Sequence, residues 1–101
     1  MNKLSLATFN VNGLKDRKKR KALFTKFRAS NYDIIFLQET HCHHKQEKKV
    51  WSLEWDGQSI WSLGSNHSKG VCVLFNRNYN FDYCDVVCDV NGRYISFDLK
   101  I

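Results

Sequence analysis

The chain has 101 residues, enough for a single domain, and 43% of them are apolar, which supports a hydrophobic core. Sixteen Lys and Arg against 10 Asp and Glu give a formal charge of +6, a balance that favours a polyanionic partner such as nucleic acid or an anionic membrane. The sequence shows no signal-peptide pattern, no apolar stretch of membrane-spanning length and too few cysteines for a disulfide scaffold. We therefore expect an intracellular protein with free thiols, neither secreted nor membrane-bound.

The first predicted element is a β-strand over residues 3–10, with apolar residues on both faces, which indicates burial on both sides. Two asparagines, Asn10 and Asn12, lie at its carboxyl end. If the strand continues through them, their side chains share a face about 6.6 Å apart. Asparagine is unfavourable in strands and costly to bury, so the presence of two asparagines at the end of this strand requires an explanation. Either the amides form the turn at Gly13 or cap the next helix, or they serve a functional site. For Asn12 the two interpretations are evenly balanced, and for Asn10 the site is favoured.

Residues 16–30 are predicted to form a helix, because Leu23, Phe24 and Phe27 make one apolar stripe at helical spacing. Residues 33–38 are predicted to form a second strand that is apolar on both faces. The order strand, helix, strand is typical of a layered α/β architecture.

The second half of the chain is predicted to be mainly strands. Residues 44–54 form either a short helix or an ordered loop, and residues 58–63 and 70–75 form strands. Asn91-Gly92 then predicts a hairpin with a two-residue turn, and a change in the spacing of apolar residues predicts a bulge near residue 83. The expected cross-strand pairs, which give the hairpin one apolar face, are Val90 with Arg93, Cys88 with Ile95, Val86 with Phe97 and Cys84 with Leu99.

Glu39 follows the second strand as Asn10 ends the first. Open α/β sheets place ligand sites at the carboxyl ends of their strands. Alone, a carboxylate in this position only marks where a strand reaches solvent. Beside Asn10 it becomes a candidate ligand for Mg²⁺, which prefers oxygen ligands and commonly takes one or two protein carboxylates.

Two motifs carry a family resemblance: T-F-N-V-N-G-L at residues 8–14 and, after a basic helix, D-I-I-F-L-Q-E-T-H at residues 33–41. Together they resemble the endonuclease/exonuclease/phosphatase superfamily, and more closely the apurinic-type endonuclease domain of LINE-type (non-LTR) retrotransposons. S-K-G-V-C-V-L-F at 68–75 and G-R-Y-I-S-F-D-L at 92–99 are similar to that family's next strands. The resemblance implies the N-terminal half of a four-layer α/β sandwich of the deoxyribonuclease-like fold, with a mixed sheet, a covering helix and a C-terminal β-hairpin.

The resemblance also implies an activity, the Mg²⁺- or Mn²⁺-dependent cleavage of phosphodiester bonds in DNA, in the nucleus if the source is a eukaryotic retroelement. Glu39 matches the metal-binding glutamate, Asn10 matches an asparagine that orients metal and phosphate, and Asn12 stands where several relatives carry an aspartate. The aspartate and histidine of the family's later motifs do not occur in residues 1–101. We therefore expect residues 1–101 to be one partial domain, truncated at its C-terminal end and inactive alone. Two alternatives stay open: an inositol-phosphate or sphingolipid phosphodiesterase of the same superfamily, and a non-catalytic remnant that binds nucleic acid.

The basic run at residues 15–21 follows the candidate site directly and is evenly balanced between a DNA-binding surface and a solvated helix face. The candidate contacts with phosphate or DNA are Asn12, Lys15, Arg17, Lys18 and His41.

The sequence His-Cys-His-His at 41–44 suggests zinc, but four adjacent residues cannot easily face one ion and no second ligand pair follows. We predict no zinc site and an exposed loop there. Cys84 and Cys88 lie about 13 Å apart along a strand, beyond the reach of a disulfide, and are predicted to be hairpin core together with Cys72.

Overall fold

The structure is a computed structural model that describes residues 3–100. It confirms the predicted fold class, a mixed α/β architecture with covering helices and a C-terminal hairpin. Within the described residues the elements are β1 (Leu6–Asn10), α1 (Arg17–Ala29), β2 (Ile34–Gln38), α2 (Lys45–Trp55), β3 (Ser59–Ser62), β4 (Val71–Phe75), β5 (Asp82–Cys88) and β6 (Ile95–Lys100). The predicted end of the last strand at Ile101 lies outside the described residues.

Two sheets organise the chain. The larger has the strand order β1-β2-β4-β3, in which β1 runs parallel to β2 and the other neighbours are antiparallel. The smaller sheet is the antiparallel hairpin of β5 and β6. Both helices pack on one face of the larger sheet and the hairpin packs on the other, so the described residues form three layers. None of the helices in residues 3–100 has the length and apolar character needed to cross a bilayer.

The helix α1 begins at Arg17, one residue after its predicted start. Asp16 is the N-cap, and its carboxylate accepts hydrogen bonds from the backbone N–H groups of Lys18 and Lys19. Phe24 and Phe27 are buried against the sheet, in one cluster with both tryptophans of α2. The same side-chain stripe that predicted the helix therefore fixes which face of it covers the sheet.

The strand β1 lies at the edge of the larger sheet and is not buried on both faces as predicted, because the hairpin packs on residues of β2, β3 and β4. Its inward face carries Phe9, whose ring lies 5.1 Å from that of Phe27 in α1. Its other face, Leu6, Thr8 and Asn10, is exposed, with Leu6 at 55% of its full accessible area. An apolar residue on each side of a strand does not ensure that a layer covers each side.

The hairpin pairs differently from the prediction beyond Cys88, which lies opposite Ile95 as expected. A bulge between Cys84 and Val87 places Cys84 opposite Asp98. The bulge shifts the face of the strand, so Tyr83 packs on Phe75 with ring centroids 5.0 Å apart. Burying an aromatic ring removes more apolar surface from water than burying a thiol, which favours this register. The bulge thereby moves Cys84 to the face of Asp98. Cys88 keeps its predicted partner Ile95 but is exposed, so the prediction that it is core was wrong.

The hairpin turn also differs from the predicted two-residue form. Asp89 donates its N–H to the carbonyl of Tyr94, so the connection has four residues, 90–93. Gly92 has φ +69°, and a Cβ there would lie 2.5 Å from the carbonyl oxygen of Leu63. Its own carbonyl accepts the N–H of Gly70 at 2.8 Å. Gly92 of the Asn-Gly pair therefore allows the hairpin turn to pack directly against the loop that precedes β4.

Candidate metal site at the carboxyl ends of β1 and β2

The two family motifs meet along one backbone ladder. Asn10 lies beside Gln38 in the parallel register of β1 and β2, whose backbones are spaced about 4.8 Å apart. The pairing continues past the strands, because Gly13 donates its N–H to the carbonyl of Glu39 at 2.6 Å and Leu14 donates to that of Thr40 at 2.9 Å. The candidate residues Asn10 and Glu39 are thereby brought to the same rim of the sheet.

The side chain of Asn10 is exposed, and its Oδ1 accepts the backbone N–H of Asn12 at 3.1 Å. This bond forms the turn after β1. Of the two roles considered for Asn10, turn formation was less favoured than a functional site. Asn12 has φ +49°, so the strand geometry ends before it and the predicted 6.6 Å spacing does not apply. An amide oxygen has two lone pairs and the amide nitrogen two N–H groups, so Asn10 keeps polar capacity beyond this bond.

Glu39 is half-buried, and its carboxylate is held in place by the chain that precedes β4. Its Oε2 accepts the backbone N–H of Lys69 at 2.5 Å. Lys69 was not among the predicted site residues. The available signal was its place before Gly70 in a loop flanked by glycines, which allows a close backbone approach.

Left-handed backbone is concentrated at this rim. Six non-glycine residues among those described have positive φ, and four of them are Asn12, Glu39, His41 and Lys69. Such residues cost of order 1–3 kcal/mol each and persist only where the surroundings fix them. Here the surroundings include Gly70, where a Cβ would lie only 2.4 Å from Thr40 Oγ1. The left-handed backbone of the rim is therefore held by close packing contacts.

His41 reaches the same rim. A Cβ on Gly13 would lie 2.7 Å from His41 Nδ1, so the imidazole rests directly against the Gly13 backbone. Its own backbone N–H donates to the carbonyl of Lys69 at 2.9 Å. The structure thus places His41 between the turn after β1 and the loop before β4.

The basic residues near the rim divide into two groups. Arg17 and Lys18 are exposed at the start of α1, and Lys19, which was not among the predicted DNA contacts, donates from Nζ to the carbonyl of Asn12 at 3.1 Å. Lys15 is engaged, because its ammonium contacts both His43 Nδ1 and the Glu47 carboxylate.

Arg20 belongs to the core and not to the basic surface. Its guanidinium donates to Glu54 through Nε at 2.7 Å and Nη2 at 3.1 Å, and through Nη1 to the carbonyl of Leu14 at 2.8 Å. It also lies over the ring of Trp51, 5.0 Å from the centroid. One cation of the basic run at residues 15–21 is therefore structural.

The segment 41–44 is not the exposed loop that was predicted. Cys42 is fully buried, and burial, followed by the nearby Glu47 carboxylate, raises the pKa of its thiol to about 12. His44 caps α2 by accepting the N–H of Glu47 at Nδ1. Desolvation raises the pKa of Glu47, but hydrogen bonds from Lys15 and the His43 N–H outweigh it and the net pKa is lowered.

Comparison with known proteins identifies the family of the chain. The chain is 29% identical over 97 residues to a Xenopus laevis protein described as "Transposon TX1 uncharacterized 149 kDa protein", an alignment that covers 96% of this chain and 7% of that protein. The chain thus spans only a small part of its relative's length. Residues 7–97, which include both strand ends of the candidate site, match the sequence pattern of the Endonuclease/Exonuclease/phosphatase family. The predicted resemblance is confirmed: the chain belongs to the Endonuclease/Exonuclease/phosphatase family, whose members are hydrolases acting on phosphodiester bonds.

Proposed function

We propose that this chain supplies the metal-binding end of a DNA endonuclease of the apurinic type found in LINE-type retrotransposons, which hydrolyses phosphodiester bonds with Mg²⁺ or Mn²⁺. The observation that carries the proposal is the backbone ladder that brings Asn10 and Glu39 to one rim, inside the segment that matches the family. The similarity to a transposon protein supports DNA as the substrate.

The donor set at the rim fits a hard divalent cation. Glu39 offers carboxylate oxygens and Asn10 an amide oxygen, and Mg²⁺ in such sites takes one or two carboxylates with water and substrate phosphate completing its shell. A carboxylate has about four lone-pair sites, and the Lys69 N–H uses one of those on Glu39. Glu39 would hold the ion, with Asn10 beside it. When bound, the ion would polarise a phosphoryl oxygen and lower the pKa of a coordinated water.

The protein's own groups would position the substrate. The Lys69 N–H holds the Glu39 carboxylate in one orientation, and the bond from Asn12 does the same for Asn10. The Asn10 amide can then donate to a phosphate oxygen. His41, packed on Gly13, is placed to contact an adjacent phosphate. Each of these groups is fixed by backbone contacts before substrate arrives, which lowers the entropic cost of orienting it.

The start of α1 would bind the DNA backbone. Arg17 and Lys18 are exposed there, and the Lys19 ammonium lies on the turn that follows β1. Removing any one cation that pairs with a phosphate should reduce the slope of log K against log salt by about 0.9. We propose further that residues 1–101 bind DNA but do not nick it alone, because the aspartate and histidine that the resemblance implies for activating water are not among them.

A supercoiled-plasmid assay in Mg²⁺ and in EDTA tests this proposal. A chain extended through a complete family domain should nick plasmid only with Mg²⁺, and Glu39→Gln should abolish nicking. Asp82→Asn, which changes an exposed carboxylate on β5, is the matched control and should nick normally. Full activity of Glu39→Gln at saturating Mg²⁺ would refute the role of Glu39, and EDTA-sensitive nicking by residues 1–101 would refute their inactivity.

A further inference from the structure

A second group of metal-ligating side chains lies at the start of α2 and does not include Glu39. Donor atoms of His43, His44 and Glu47 all lie within 4.8 Å of one another. His43 Nδ1 is 3.2 Å and His44 Nε2 is 3.8 Å from Glu47 Oε1. Ligands bonded at about 2.0–2.1 Å to a tetrahedral Zn²⁺ stand about 3.3–3.5 Å apart, so the three groups are close to a coordinating arrangement.

A cation already occupies this group. The ammonium of Lys15 contacts His43 Nδ1 at 3.1 Å and also pairs with the carboxylate of Glu47. With the ring proton on Nε2, His43 Nδ1 directs its lone pair at this ammonium; with the proton on Nδ1, it donates to Glu47 Oε1 instead. In the first tautomer the nitrogen of His43 and the carboxylate of Glu47 are both oriented as ligands, with the Lys15 ammonium in front of them.

We propose that His43, His44 and Glu47 form a binding site for a borderline transition-metal dication, Zn²⁺ foremost, which displaces the Lys15 ammonium. Two imidazoles and a carboxylate are a donor set that suits Zn²⁺ and that Mg²⁺ does not select. The site is distinct from the Glu39 rim, and the inference does not depend on the proposed nuclease activity. The prediction of no zinc site looked beyond residues 41–44 only for a second ligand pair. Glu47 supplies a single third ligand from one helical turn further on.

Binding at His44 requires a proton to change place. In the structure His44 Nδ1 accepts the N–H of Glu47, so the proton of the neutral ring is on Nε2. Coordination through Nε2 moves that proton to Nδ1, and the N-cap bond to Glu47 then breaks. Zn²⁺ should therefore shift the amide resonance of Glu47 in addition to the imidazole resonances of both histidines.

The test is a Zn²⁺ titration of the chain by calorimetry, in excess Mg²⁺ to saturate oxygen-only sites, with ¹H–¹⁵N spectra recorded alongside. We expect one Zn²⁺ per chain. His44→Asn keeps an N-cap side chain but removes the imidazole, so α2 should persist by circular dichroism. Removing a residue that only supports a metal ligand lowers metal affinity about 10- to 100-fold. Removing a ligand itself should cost at least as much, so His44→Asn and Glu47→Gln should each weaken Zn²⁺ binding at least about tenfold.

Lys15→Met gives the more specific outcome. An exposed ion pair changes an equilibrium constant by up to about fivefold. Removing the ammonium that competes with Zn²⁺ should therefore tighten Zn²⁺ binding about two- to fivefold. Cys88→Ser, which removes an exposed thiol, should leave the Zn²⁺ affinity unchanged. The proposal is overturned if the native chain takes up no Zn²⁺, if His44→Asn binds it as tightly as the native chain, or if Cys88→Ser abolishes binding. Unchanged affinity in Lys15→Met would refute displacement of the ammonium.

Discussion

Replacing Arg20 by Met should destabilise the fold, although Arg20 lies within a run of exposed cations. Its side chain is 7% exposed and makes two hydrogen bonds to Glu54 and one to the carbonyl of Leu14. Methionine retains much of the apolar stem that packs beside Trp51 but removes every donor. The carboxylate of Glu54 and the carbonyl of Leu14 then lose their partner.

The magnitude follows from this burial. Breaking a fully buried ion pair costs about 3–5 kcal/mol. The side chain of Glu54 is 34% exposed, so water can solvate it after the change, and the cost should fall to about 2–3 kcal/mol. With the urea dependence typical of small domains, this loss lowers the unfolding midpoint by about 1–2 M.

Urea unfolding followed by tryptophan fluorescence measures this midpoint, because Trp51 and Trp55 are buried beside α1. Lys21→Met is the matched control: it removes a cation from the exposed face of the same helix and should shift the midpoint by less than about 0.3 M. Equal midpoints for Arg20→Met and Lys21→Met would refute the structural role of Arg20. In a DNA titration Lys21→Met should bind more weakly and with a smaller salt slope than the native chain.

Three further outcomes are expected. Gly70→Ala should cost about 1–3 kcal/mol in urea unfolding, because φ is +88° and the new Cβ would lie 2.4 Å from Thr40 Oγ1; an unchanged midpoint would contradict the packing of this loop. Because folding lowers the pKa of Glu47, its ionised carboxylate stabilises the fold above the unfolded-state pKa of about 4.3. This stability is lost as the pH falls through the folded-state pKa. Glu47→Gln should therefore be less stable than the native chain at pH 7, with the gap closing below about pH 4; a gap independent of pH would contradict this. At pH 8 a thiol reagent should label the exposed Cys88 and spare the buried Cys42, whose pKa is about 12; rapid labelling of Cys42 in the folded chain would show that it is not buried.

The sequence predicted those parts of the fold that depend on local patterns. The apolar stripe of α1 and the strand ending at Gln38 lie within a residue or two of their predicted bounds. The predictions failed where a distant layer decides the outcome. Nothing within residues 3–10 shows that β1 is an edge strand. The spacing of apolar residues predicted a bulge near residue 83, but not that Tyr83 would pack on Phe75.

The candidate site divides in the same way. Asn10 and Glu39 could be placed at one rim from the ends of two strands. The hydrogen bond from Lys69 to Glu39 could not be predicted, since it joins residues 30 positions apart and depends on left-handed backbone at both of them. The burial of Arg20 was hidden because a charge pattern does not show which cation meets a buried partner, and Glu54 lies 34 residues away.

The central claim, that Glu39 and Asn10 hold a divalent metal, is tested most directly by Mn²⁺ broadening in ¹H–¹⁵N spectra of the chain. Paramagnetic broadening should centre on the amides of Asn10, Asn12 and Lys69, and excess Mg²⁺ should reverse it. In Glu39→Gln the broadening at these amides should disappear, while Asp82→Asn, which changes an exposed carboxylate on β5, should behave as the native chain. Broadening that persists in Glu39→Gln, or that is confined to the neighbourhood of Glu47, would contradict the account.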